Sequence, residues 1–442
     1  MKKVFDFSVF VYSLLLCFIA NCYPILCENG KLWFVIVPVF IVINVFAGTL
    51  GIKTKKLRLR ISNHGVVLLS AFRISTFVSV ICQVIFIFKY AFSNSAVFGW
   101  GLLLCFLTEL IVFWNGIICV YLTSVQLGIK HRVVGLLCGM IPIVNLIVLN
   151  KIIKIVHNEV IFETEREAKN SERIKLQICK TKYPILMVHG VFFRDSKYFN
   201  YWGRVPEDLE LNGATIFYGE HRSAASVSLC GEELAEKIKR IVEETGCGKV
   251  NIIAHSKGGL DSRYAIGKCG AAPYVASLTT VNTPHNGCIF ADYLLGKIPD
   301  SVKESVAGVY NTTLQKFGET DADFIAAVSD LTASACKELN AILPPPKDIF
   351  CQSVGSVLKN AGSGKFPLNF SYHLVKYFDG PNDGLVSTSS FEWGEKFTLL
   401  TAIGNRGISH GDMIDLNREN IEGFDVREFY TDLVSDLKNR GF

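Results

Sequence analysis

Acidic residues are scarce in the first third of this chain. Residues 1–150 hold three Asp and Glu against twelve Lys and Arg, whereas residues 151–442 hold 37 against 33. The net charge of +5 is therefore a property of one end only. No basic stripe runs through the larger, mildly acidic part, which excludes a nucleic-acid binder. No CxxC pair and no zinc spacing occur among the 14 cysteines, which excludes a structural zinc module. The cysteines fall seven on each side of residue 150, scattered, and read as small buried hydrophobes in a reduced chain. Internal repeats are absent, and the one biased tract is "LPPPKD" at 343–348.

What the first 150 residues have in place of acids is apolar length. Half of the whole chain is hydrophobic, with a mean hydropathy of +0.33. Five runs approach the length of a membrane span: Val4–Leu26, Leu32–Leu50, Gly65–Phe88, Val97–Leu122 and Val133–Leu149. The first run is long for a signal peptide, its end at Asn21-Cys22-Tyr23-Pro24 is unlike a cleavage site, and four more runs follow. Two charges lie inside runs, Arg73 and Glu109; a pair tethering two helices, or snorkelling, accounts for them. The segment "GIKTKKLRLRISNH" carries Lys53, Lys55, Lys56, Arg58 and Arg60 and marks the cytoplasmic side. With Lys2 and Lys3 also inside, five spans put the C-terminal part outside. If the fifth run, which holds Pro142 and Asn145, dips in and returns, that part stays inside. The chain thus reads as a multi-pass membrane protein: 1–150 as a transmembrane helical region, 151–182 as a polar helical connector, and 183–442 as an extracytoplasmic domain.

From Tyr183 onward short apolar runs alternate with amphipathic ones. "YPILMVHG", "ATIFYGEH", "KVNIIAH", "YVASLTTVNTP", "IFCQSVGSV" and "KFTLLTAIG" read as strands, and "GEELAEKIKRIVEETG" as a helix between two of them. Such alternation implies an α/β domain with a mostly parallel sheet, preceded here by an all-α membrane region. Sites in such sheets gather at the carboxyl ends of strands, where His189, Ser256 and Thr283 fall.

In "KVNIIAHSKGGLDSRYA" a buried strand stops at a serine flanked by small residues, and a helix follows. The pattern is that of a nucleophile elbow, in which small residues two before and two after the serine let strand and helix approach; Ala254 and Gly258 satisfy this. The helix N-terminus can stabilise an oxyanion, with the Lys257 N–H as one donor. A serine nucleophile needs a histidine base and a carboxylate to orient it, in the order Ser, acid, His. Of the histidines after Ser256, His285 reads as a loop brace and His373 precedes the acid candidates, which leaves His410 in "GISHGDMID". "YFDGPNDGLVSTSS" offers two acids, Asp379 and Asp383.

The segments "TKYPILMVHG", "EDLELNGA", "KVNIIAHSKGGLDSRYA", "TTVNTPHNG", "NDGLVS" and "SHGDMIDLN", spanning about 180 to 420, together resemble the bacterial triacylglycerol lipases of the α/β-hydrolase fold. The resemblance implies Ser256 as nucleophile, Asp383 as the triad acid and His410 as base, with Val191 and Lys257 supplying the oxyanion N–H groups. It implies a mobile lid over about 290–342 and a lipid or acyl-ester substrate. Family members often carry a structural calcium near the histidine loop. Asp412 matches one ligand, but no acidic partner stands at the expected distance upstream of Asp383, so no metal and no cofactor are expected. The membrane region has no counterpart in the soluble lipases. Two alternatives stand beside the lipase reading: a phospholipase or acyltransferase using the same triad, and a binding protein that has lost catalysis.

Overall fold

The computed structural model describes residues 2–49, 52–139, 141, 143–191, 200–299, 301, 304, 308, 323–365 and 368–442. The chain divides into two compact units, Met1–Glu172 and Arg173–Phe442. All 14 cysteines are free.

The first unit is helical: α1 (Lys2–Asn21), α2 (Tyr23–Glu28), α3 (Trp33–Phe46), α4 (Leu57–Phe86), α5 (Ser95–Thr123), α6 (Gly128–Cys138) and α7 (Val144–Arg173). Its polarity is inverted relative to a water-soluble bundle. The buried face of α4 carries Ser62, Asn63, His64, Ser70, Ser75, Ser79 and Gln83, while Phe77, Val80, Ile85 and the following Phe88 point outward. In a bilayer, lipid solvates the apolar face, and helices associate through small and polar residues. Gly65 on α4 meets α5 in this way: a Cβ there would lie 2.8 Å from the Gly116 carbonyl oxygen.

Among the described residues, three helices are long and apolar enough to cross a membrane: Lys3–Asn21, Leu57–Ala91 and Ser95–Thr123. The sequence reading expected about five spans. The second run yields a shorter apolar helix, Gly30–Phe46. The fifth is interrupted between Cys138 and Val144, where the sequence places Gly139 and Pro142, both poor at continuing a helix. The expected connector likewise begins within the first unit, as the polar half of α7.

Hydrogen bonds fix the helix directions. Asn21 at the end of α1 donates to Ser79 (2.8 Å), near the end of α4, so α1 and α4 run the same way. The turn after α3 meets the start of α4, with Asn63 donating to the Gly48 carbonyl (2.7 Å). The end of α5 returns there too, as Arg58 donates to the Thr123 carbonyl (2.7 Å). Arg73 and Glu109, the two charges inside apolar runs, do not pair with each other: Arg73 donates to Asn150 of α7, and Glu109 accepts from Ser75 and Thr76 of α4, both at 3.0 Å.

The second unit is built on six parallel strands, β1 (Ile185–Val188), β2 (Ile216–Tyr218), β3 (Val250–His255), β4 (Val275–Val281), β5 (Phe350–Ser356) and β6 (Lys396–Leu400), in the order β2-β1-β3-β4-β5-β6. Every strand matches one of the apolar runs read from the sequence. β1, β3 and β4 are buried along their whole length because helices cover both faces. Alternation then sorts their side chains. Ile185, Met187 and Ile253 pack with Trp202, Tyr430 and Val434 on one face. Leu186, Val188, Ile252 and Ala254 pack on the other, against Leu234 and Ile238 of α9 (Val227–Thr245), the helix after α8 (Val205–Leu211), and Ala265 of α10 (Lys257–Gly267). The chain reverses its winding at β1/β3, so a crevice opens at the carboxyl ends of those two strands. Of the expected lid, the described parts are the helices Ile289–Lys297, Phe324–Ser329 and Ala333–Ile342; most of 300–322 lies outside the described residues.

Candidate active site

Ser256 sits where β3 stops and α10 begins, with φ 55° and ψ −132°. A non-glycine residue in this region costs about 1–3 kcal/mol and persists only where its surroundings enforce it. Here they do. The Ser256 N–H donates to the Val281 carbonyl of β4 (2.9 Å), and its carbonyl accepts from Thr283 Oγ1 (2.8 Å). Glycine at 258 is required by the close approach of β1: a Cβ there would lie 2.3 Å from the His189 carbonyl oxygen. Ala254, two residues before the serine, is fully buried in the sheet.

Asp383 and His410 come from two different loops and meet. His410 Nδ1 lies 2.7 Å from Asp383 Oδ2, and the backbone pairs as well, His410 N–H to the Asp383 carbonyl at 2.9 Å. The carboxylate is fully buried and fully satisfied. Oδ1 accepts from the N–H groups of Leu385 (2.9 Å) and Val386 (2.8 Å); Oδ2 accepts from Asn282 Nδ2 (2.6 Å) and from His410. An ionised carboxylate only accepts, so Nδ1 of His410 carries the hydrogen and Nε2 is left as the basic nitrogen.

The histidine loop is held against the elbow by residues the sequence reading did not single out. The His255 ring, one residue before the serine, lies 4.5 Å from that of His410, centroid to centroid. Burial, with the charge of His410 beside it, holds His255 well below the usual histidine range, so it is neutral. Its Nε2 lies 3.2 Å from the His410 carbonyl and must donate there; its Nδ1 then accepts from the Tyr201 hydroxyl at 2.7 Å. That hydroxyl in turn accepts from the Gly190 N–H (3.1 Å). One chain of hydrogen bonds thus ties the turn after β1, which leads to the buried Val191, to the elbow and to the histidine loop. A tyrosine more than fifty residues from its partner leaves no local signal. Asn282, at the end of β4, was equally silent.

Lys257 begins α10 and so presents an N–H group without an intrahelical partner. Its side chain is a separate matter. Nζ is fully buried, 2.7 Å from Asp261 Oδ1 and 3.2 Å from Cys230 Sγ. Burial pushes the Asp261 carboxyl up to about 6 against the opposing pull of Lys257, so the pair is ionised at neutral pH. His221 Nε2 approaches the other Asp261 oxygen (3.4 Å) and stacks on His189 at the end of β1. Lys257→Met leaves a buried carboxylate without its cation and is expected to cost about 3–5 kcal/mol of stability. Thermal melts check this, with Lys257→Met/Asp261→Leu recovering a large part of the loss.

The remaining candidates take other places. Asp379 accepts from the N–H groups of Ile289 (2.9 Å) and Phe290 (3.0 Å) at the start of the helix Ile289–Lys297, and so caps it. His285 is a buried brace: its ring stacks on Trp393 at 4.9 Å and bonds Thr280 Oγ1 (2.9 Å). His373 is exposed on the helix Leu368–Asp379.

Asp412, the one match to a calcium ligand, is engaged by a guanidinium and a backbone N–H. Its two oxygens each face Arg406 at 3.2 Å, and Oδ2 also accepts the Ser409 N–H (2.8 Å). Arg406 reaches Glu419 as well (2.8 Å). The guanidinium fastens the loop that carries His410. Among the described residues no group of three or more His, Cys, Asp or Glu is placed to hold a metal. Ester turnover is expected to be unchanged by EDTA, whereas Arg406→Leu lowers it about tenfold or more through displacement of His410. A loss of activity on chelation, restored by calcium, would contradict this reading.

Residues 212–310 match the family described as "Putative serine esterase (DUF676)". A triacylglycerol lipase of Vibrio cholerae is 30% identical over 239 residues, covering 49% of this chain and 76% of that protein. Triacylglycerol lipases of Pseudarthrobacter phenanthrenivorans and Burkholderia plantarii are each 34% identical over 177 residues, 37% of this chain, with 54% and 49% of their own lengths covered. The chain thus spans about half the length of those two relatives. Among solved structures, the mature form of a Bacillus licheniformis lipase is similar at 21% identity and a TM-score of 0.43, covering 57% of this chain and 92% of that one.

Proposed function

The chain belongs to the triacylglycerol lipase family, and from that premise we propose that it is a membrane-anchored serine hydrolase of carboxylic esters, lipid esters foremost. What carries the reading is a strained Ser256 at the start of α10, next to His255, which packs on a histidine whose Nδ1–H is held by a fully satisfied carboxylate. In the first step His410 Nε2 takes the hydroxyl proton as Ser256 Oγ attacks the ester carbon. The carbonyl oxygen becomes an oxyanion, which accepts from the N–H groups of Val191 and Lys257. His410 returns the proton to the leaving alcohol, and an acyl-serine remains. Water attacks it by the same route, releases the acid and restores the serine. Every proton in this cycle moves between Ser256, His410, the leaving alcohol and water, and no cofactor enters it.

The apolar exterior of the helical unit supports anchoring in a bilayer. With α3 and α5 both returning to the start of α4, the chain leaves the bundle on the side of Lys53–Arg60. The positive-inside rule then favours a cytoplasmic hydrolase unit, the reverse of the five-span expectation.

The test is hydrolysis of an acyl-ester panel of increasing chain length by the full chain in detergent or nanodiscs. Long-chain acylglycerols cleaved by the parent and not by Ser256→Ala support the reading. Release of lysophospholipid, or acyl transfer to an added alcohol, would redirect it to a phospholipase or an acyltransferase. No turnover of any ester would sink it. In parallel, a fluorescent-protein fusion at the C-terminus should glow and an alkaline phosphatase fusion should be inactive; the opposite pair would put the unit outside.

A further inference from the structure

We infer that the helical unit carries a binding site for a long-chain carboxylate, in a groove bounded by α1, α4 and α7. The cavity has a volume of about 550 Å3, within the roughly 300–1,000 Å3 range of small-molecule sites. It runs along α1 from Phe5 to Cys17, about 18 Å at 1.5 Å per residue. One stretch is apolar, lined by Val9, Phe10 and Leu14 of α1 and by Ile74 and Val78 of α4. Phe10, Leu14, Ile74 and Val78 are also exposed on the outside of the unit, so the groove opens towards lipid.

The groove also carries charge. Arg73 and Lys154 line it together with Asp6, Asn150 and His157. Asn150 accepts one of the five guanidinium donors of Arg73, which steers the group and leaves the rest of the fork. The Lys154 ammonium and the Asp6 carboxylate have no hydrogen-bond or ion-pair partner among the described residues. His157 packs on Phe5, with ring centroids 4.0 Å apart. Two cations against one carboxylate leave a surplus of one positive charge, which a monoanion balances. A groove of this size takes one acyl chain, so the occupant is a single-chain acid and not a two-chain lipid. The site goes beyond the hydrolase reading and does not depend on it, because it is built entirely from the helical unit.

The experiment uses the full chain carrying Ser256→Ala, in nanodiscs of zwitterionic lipid, with radiolabelled palmitate and uncharged hexadecanol as paired probes. Palmitate should bind saturably at one site. Arg73→Gln/Lys154→Gln should weaken palmitate about tenfold or more and leave hexadecanol unchanged, while Arg73→Lys/Lys154→Arg should bind palmitate as the parent does. Ser13→Trp, which fills the groove, should abolish both. Palmitate that only partitions without saturation, that survives the double glutamine variant, or that is displaced by an anionic two-chain phospholipid would overturn the inference. Ester turnover by the parent is measured separately, so failure here leaves the hydrolase reading standing.

Discussion

Ser256→Ala should fall to the uncatalysed background for every ester the parent cleaves, a loss of about 10^6-fold where the assay reaches that far. The hydroxyl is the only group in the proposed cycle that forms a bond to substrate, and no other serine shares the elbow. A fluorophosphonate probe, which reacts with an activated serine, should label the parent and leave the variant blank. Stability should hardly change, since alanine inherits the same backbone conformation, φ 55° and ψ −132°. Ser256→Gly separates the two effects. It is equally inactive, but glycine tolerates that conformation, and the variant should gain about 1–3 kcal/mol, read as a rise in Tm. Equal labelling of parent and Ser256→Ala would remove this serine from the mechanism altogether.

Asp383→Asn should reduce kcat/KM by about 10^4-fold, the scale associated with an amide in place of a triad carboxylate. The hydrogen bonds explain why. The amide oxygen must stay with the Leu385 and Val386 N–H groups, which turns its NH2 towards His410 Nδ1 and Asn282 Nδ2. Facing a donor, His410 Nδ1 must give up its hydrogen, and the hydrogen moves to Nε2. The nitrogen that should receive the serine proton is then already occupied. The same NH2 opposes the Asn282 NH2, donor against donor, at a cost of about 1–3 kcal/mol. The variant should therefore be both slow and less stable, and its rate of labelling by the fluorophosphonate should fall in parallel with turnover. Asp379→Asn should act differently, loosening the helix it caps with little effect on the labelling rate. Activity of Asp383→Asn within a few-fold of the parent would move the acid elsewhere.

Most of the hydrolase scaffold was legible because its signals are local. A run such as Ile185–Val188 is apolar on both faces, which only a covered parallel strand can use. The breaks at His189, Ser256 and Thr283 follow directly from where those runs stop. The candidate triad was legible for a related reason: each member lies in a short segment whose glycines announce a turn, and the order of the segments matches the fold. The membrane region was read less well. Hydropathy counts apolar residues but does not report whether a helix is continuous, so the stretch from Val133 to Leu149 looked like a span although it is interrupted after Cys138. Arg73 and Glu109 looked like partners because both are charges in apolar runs. Each instead satisfied itself with neutral groups on a neighbouring helix, Asn150 for the arginine and two α4 hydroxyls for the glutamate.

The sequence by itself determined the strands, the elbow and the identity of the three candidate catalytic side chains, because alternation, turn chemistry and residue order act over a few residues at a time. Only the tertiary structure decided how those groups are held. Tyr201 to His255, Asn282 to Asp383 and Lys257 to Cys230 join positions 27 to 101 residues apart, and Arg406 joins Asp412 to Glu419. Buried polar groups must find partners wherever the packed chain brings them, and that choice is made by the fold as a whole.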